Sequence, residues 1–213
     1  VWVGLPPHVA NATNRVAVLA QSAVAFGTLW ASPREPVEPG TGVGRPEFGV
    51  VAASAVAGAG VAVAVDPEAF ARILGPLLVV MVAVSLAKPS AWSERGERSW
   101  WRWPALVVAG LYGGFLQAGV GLLLLPTFVV LGGLEATQAN FRKVAFVGGL
   151  TIPALAVYAS QGLVEVRPAL ALASGAALGG FIGARWTLAG GARLVRWAVA
   201  VVVLATAIRL LVG

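Results

Sequence analysis

Two short polar segments each run straight into an apolar stretch, and each closes on a cation. The first is Pro6-Pro7-His8-Val9-Ala10-Asn11-Ala12-Thr13-Asn14-Arg15, and the second is Thr137-Gln138-Ala139-Asn140-Phe141-Arg142-Lys143. Small polar side chains ahead of an apolar run suit a helix N-terminus, where backbone N–H groups are free and the dipole is positive. Thr13 or Asn14 would cap the first helix, which puts Arg15 in its first turn, where a cation is disfavoured. A bound anion resolves that conflict, because dipole, N–H groups and guanidinium then share one target. The bland alternative is an interfacial arginine beside an ordinary cap. Repetition of the design favours function for the pair. The expected anion ligands are Asn11, Thr13, Asn14 and Arg15 in the first copy and Gln138, Asn140 and Lys143 in the second. Arg142 competes with Lys143, but points about 100° away around the helix.

Between these segments lies Gly110-Leu111-Tyr112-Gly113-Gly114-Phe115-Leu116-Gln117-Ala118-Gly119-Val120-Gly121, followed by Leu122 to Leu125 and Pro126. Each glycine would weaken a water-exposed helix by about 1 kcal/mol relative to alanine. In a membrane, small residues permit close helix packing, or a local break whose backbone lines a cavity. Gly113, Gly114, Gly119 and Gly121 are therefore helix-break or close-packing candidates, with packing the default for most single glycines. Gln117 joins the expected substrate ligands as a strong side-chain donor. Gly58, Gly60, Gly175, Gly179, Gly180 and Gly183 read most simply as packing contacts.

Other chemistries lack their residues. There is no cysteine and one histidine, so thiolate sites, disulfides and histidine metal clusters are not expected, nor is a cofactor. All the acidic residues (Glu35, Glu38, Glu47, Asp66, Glu68, Glu94, Glu97, Glu135 and Glu165) fall in connections between apolar runs. An intramembrane enzyme would need an acid or base beside Thr13, Thr151, Ser160 or Ser174, and none is expected there. A proton relay or cation channel lacks its buried carboxylates.

The elements that must carry these groups are membrane helices. Of 213 residues, 58% are apolar and 11% charged, against about 45–50% and 25% in soluble domains. The net charge of +6 does not suggest nucleic acid, because the bases stand singly at the ends of apolar runs, as lipid-anchoring residues do. A span needs about 20 mainly apolar residues. The expected spans are Asn14 to Ala31, Phe48 to Val65, Phe70 to Ala87, Pro104 to Leu131, Phe141 to Ser160, Pro168 to Trp186 and Leu194 to Val212. Trp92, Trp100, Trp101 and Trp103 mark an interfacial belt in the charged connection.

The chain also repeats itself. Gly4, Arg15, Val16, Ala17, Trp30 and Ala31 match Gly132, Lys143, Val144, Ala145, Tyr158 and Ala159 at a constant offset of 128. The expected organisation is a first repeat over 1–87, a charged, Trp-rich loop over 88–103 and a second repeat over 104–213. Pro104 to Leu131 has no counterpart at the start of the chain, so a glycine-rich first helix is expected upstream of Val1. The expected fold is all-α, a four-plus-four bundle with seven visible spans and parallel halves. With Arg15 and Lys143 set aside as functional, the cations divide eight to five in favour of a cytoplasmic loop and C-terminus.

Leu5 to Arg15 and Gly110 to Pro126 resemble the signature segments of the TauE/SafE family of sulfite and organosulfonate exporters, and the likeness extends over essentially the whole chain. The resemblance implies an eight-helix permease of the inner cell membrane that exports sulfite, sulfoacetate or a related sulfur-containing anion. The partners it implies are that anion and the lipid bilayer, and self-association into a homo-oligomer stays open. The family's glycine-rich first helix is missing from these residues, so half of a paired site is unseen. The alternative is a membrane scaffold or assembly subunit that transports nothing.

Overall fold

The protein, seen as a computed structural model, is described over residues 4–31, 44–87 and 95–189. The regular elements among the described residues are all helices: α1 (Pro7–Trp30), α2 (Arg45–Ala64), α3 (Pro67–Ala87), α4 (Arg102–Phe115), α5 (Val120–Pro126), α6 (Ala136–Ser160) and α7 (Val166–Leu188). A π-helical turn, Thr127–Leu131, prolongs α5. Of these helices, α2, α6 and α7 are both long and apolar enough to cross a membrane. The expected span Leu194 to Val212 lies outside the described residues.

Local chemistry sets the helix starts. Pro7 opens α1, where a missing N–H is harmless. The Glu47 carboxylate accepts the Gly44 N–H at 2.9 Å and closes the first turn of α2. Asp66 caps α3 by accepting the N–H groups of Glu68 and Ala69. The expected cap at Thr13 or Asn14 is not formed: α1 begins at Pro7, so both residues and Arg15 lie inside the helix. Two prolines and a polar stretch read as a helix approach, yet the backbone from Pro7 onward is already helical.

Helix α6 is central, packing on α1, α2, α4 and α5, while α7 packs along α1. The pair α2 and α4 meets through small residues. A Cβ on Gly114 would lie 1.9 Å from the Ala55 carbonyl oxygen, and one on Gly58 2.1 Å from that of Leu111. Gly110 and Gly114 stand four apart and face α2 together, the spacing that lets membrane helices touch backbone to backbone. The packing expectation thus holds at Gly58, and at Gly180 against Gln21. At Gly60, Gly175, Gly179 and Gly183 no neighbour among the described residues comes within 4 Å.

The largest departure concerns Pro104 to Leu131, which is a helical hairpin and not one span. A continuous helix from Arg102 to Leu131 would be about 44 Å long. Instead Ser99 joins its two ends: the Ser99 N–H donates to the Leu131 carbonyl at 2.9 Å, and the Ser99 carbonyl accepts the Arg102 N–H at 3.3 Å. Gly96 N–H donates to the Val129 carbonyl, and Arg95 pairs with Glu135 at 2.9 Å. The arms α4 and α5 therefore start and finish at one end of the bundle, here the base, and turn at 116–119. Near the turn, a Cβ on Gly113 would meet the Val120 side chain.

Candidate functional site

The tip of the hairpin gathers the buried polar side chains of Arg15, Gln117 and Thr151. Gln117 has φ 67° and Gly119 φ 76°, so two left-handed residues reverse the chain in four positions. The N–H groups of Leu116 and Gln117 both turn to the Tyr112 carbonyl, and that of Ala118 to Leu116. The carbonyls of Gly113 and Gly114 thereby lose their helical donors. In a membrane each unsatisfied carbonyl costs several kcal/mol.

Side chains from α1 and α6 satisfy them. Arg15 is fully buried, and its Nη1 donates to the Gly113 carbonyl at 3.0 Å while Nη2 donates to that of Gly114. Asn11 Nδ2 donates to the Phe115 carbonyl at 3.0 Å. The Tyr158 hydroxyl lies 3.1 Å from the Gly114 carbonyl and 2.9 Å from that of Phe115, and its ring supports the Arg15 guanidinium at 4.5 Å. Gln117 Nε2 donates to the Thr151 hydroxyl, which donates onward to the Val147 carbonyl. Among the described residues, the buried atoms Arg15 Nε, Gln117 Oε1 and His8 Nδ1 have no partner.

The residues expected from the sequence are thus only partly brought together. Asn11, Arg15 and Gln117 meet at the tip. Thr13 is buried, but its hydroxyl accepts the Glu165 N–H at 3.1 Å and ties α1 to the α6–α7 turn. Asn14 faces outward. Gln138 and Asn140 sit at the base end of α6, and Asn140 is about 16 Å along the helix from Thr151. Lys143 is half-buried with its chain laid against Gly121, where a Cβ would stand 3.2 Å from Lys143 Cδ. It has no hydrogen-bonding or ionic partner among the described residues. Lys143 and Tyr158 are about 22 Å apart along α6, so the backbones that carry Lys143 and the Arg15 partner Tyr158 stand at different levels.

Gly113 and Gly114 are close-packing positions, Gly119 is a true helix-break position, and Gly121 makes room for Lys143.

Sequence reasoning missed Tyr158, Thr151 and Glu47. Tyr158 entered only as a repeat match, and its position late in an apolar run gave no sign of the carbonyls it meets. Glu47 was placed in a connection; it is buried at the base end of α2, 3.3 Å from both Arg98 and Arg102. Its signal was a glutamate at the third position of an apolar helix, from where a carboxylate reaches back to the N-cap N–H.

Comparison with known proteins adds a relationship to this geometry. The family described as "Sulfite exporter TauE/SafE" matches residues 1–210. The chain is 27% identical over 165 residues to "Probable membrane transporter protein ORF9" of Sinorhizobium sp, an overlap of 75% of this chain and 63% of that protein. The match thus spans under two thirds of the relative's length. No solved structure matches.

Proposed function

Because the chain belongs to the TauE/SafE family of sulfite exporters, we propose that it carries a small sulfur-containing oxyanion across the membrane, sulfite and sulfoacetate being the candidate cargoes, and holds it near the hairpin tip. A family of transporters sets the intramembrane enzyme aside, and the chain is a multi-pass membrane protein. The observation that carries the reading is the tip itself: non-helical backbone, a buried amide and the Arg15 cation inside an apolar bundle, with Lys143 against the returning arm. Backbone of that kind is tolerated at membrane depth where it packs in protein or lines a cavity. Half-helix ends are also where transporters take hold of substrates.

Lys143 is the proposed anion contact, because its ammonium has no partner among the described residues and Gly121 brings it against the returning arm. Gln117 adds a buried amide at the turn. Asn14, Gln138 and Asn140 are left out, one facing away and the others near the base. No carboxylate among the described residues stands at the tip to carry a proton. An interior-negative potential alone drives an anion outward by about 2.3 kcal/mol per charge per 100 mV.

The test is flux in vesicles holding the purified protein, with sulfite, thiosulfate, a sulfonate and sulfate. The expected result is saturable flux of sulfite or the sulfonate. Lys143→Gln should raise the half-saturating concentration by about tenfold, the loss of roughly 1.4 kcal/mol, while Arg95→Gln should leave it unchanged. Absence of saturable flux for every anion would favour the scaffold reading.

A further inference from the structure

We infer that Arg15 is a positioning residue: its guanidinium replaces the backbone donors missing at the end of α4 and so fixes the hairpin tip, without itself binding the anion. This rests on the tip being the anion site proposed above. The two lost donors are the N–H groups of Gln117 and Ala118, which turn to Tyr112 and Leu116. Their carbonyls, on Gly113 and Gly114, are consecutive along the chain. A planar guanidinium presents two parallel N–H groups and matches such a pair, whereas an ammonium is a point donor.

The charge of Arg15 is also accounted for. It is fully buried and pairs with no carboxylate among the described residues. Its counter-charge is the negative end of the α4 dipole, where cations are stabilised, together with the face of Tyr158. The dipole conflict expected at a helix N-terminus does not arise, because Arg15 stands inside α1 and meets the C-terminus of α4. No anion is needed to explain its burial. The one loose end is Nε, which has no partner, and it makes the competing role as anion ligand testable.

Two readouts on the full chain in vesicles separate these roles: anion flux against concentration, and amide hydrogen exchange at 116–119 with α7 as internal control. Arg15→Gln should lower the maximal rate by about tenfold with the half-saturating concentration held within about twofold. It should also speed exchange at 116–119 by about tenfold, leaving α7 as it was. If that variant does not insert, Arg15→Lys is read the same way; it keeps the charge but not the fork, and faster exchange at 116–119 is again expected. Unchanged exchange in either variant overturns the proposal, as does a tenfold rise in half-saturating concentration at an unchanged maximal rate. Wild-type protein that passes none of the anions would defeat the proposed function, while the exchange result would still decide the role of Arg15.

Discussion

Glu47 shows what a single charge does at the base of the bundle. It is 2% exposed, accepts the Gly44 N–H, and meets Arg98 and Arg102, of which Arg102 is the more buried. It thereby ties the start of α2 to the segment that joins both hairpin arms. Removing one partner of a buried pair leaves the other uncompensated, at about 3–5 kcal/mol; the partial exposure of Arg98 places the expected loss near 3 kcal/mol. Glu47→Ala should lower the melting temperature in detergent clearly, and Glu135→Ala, whose partner Arg95 is solvated, should not. Equal shifts would mean that the Glu47 cluster is no more than surface charge. The same scale explains what could be read of the site. Arg15 stood out because a cation beside an apolar run is rare. Its partners did not, since the carbonyls of Gly113 and Gly114 become acceptors only once the backbone turns at Gln117 and Gly119.

At the scale of elements, the glycine-rich run was legible as a weak helix, and the tight α2–α4 contact follows from it. Gly114 stands where any Cβ would overlap the Ala55 carbonyl, while Gly179 has no described neighbour within 4 Å. Gly114→Ala should therefore push α2 from α4 and lose about 1–3 kcal/mol by overpacking, and Gly179→Ala should be close to neutral; thermal melts of the two variants check this. Similar losses would deny close packing at Gly114. The fold-back at 116–119 was harder to foresee. Apolarity does not distinguish two arms that continue from two that return, because both bury the same leucines and valines. The one available signal was length: 28 residues from Pro104 to Leu131 exceed the 20 or so of one crossing and fall short of two. The spans of α2, α6 and α7 were legible because each has ordinary length between turn residues.

Across the whole molecule, the hairpin redistributes the charges that orient the protein. With α4 and α5 returning to the base, that end carries Arg45, Arg95, Arg98, Arg102, Arg142 and Arg185 among the described residues, while the opposite end carries Arg72 and Arg167. A continuous span over Pro104 to Leu131 would instead put Arg142 and Arg185 on the side opposite the loop and Arg167 on the side of the loop. An excess of Lys and Arg marks the cytoplasmic face, so the base is expected to be cytoplasmic and the α6–α7 turn external. The hairpin and α6 together make one crossing between Glu97 and Gln161; a continuous span would make two. The two residues are exposed, and the 213 residues contain no cysteine, so Glu97→Cys and Gln161→Cys each introduce a single thiol. A membrane-impermeant maleimide should label Gln161→Cys in intact cells and Glu97→Cys only after permeabilisation. The reverse pattern would keep the hairpin and invert the orientation. Labelling of both from the same side would require two crossings or none, and the hairpin would then be wrong as a description of the protein in its membrane.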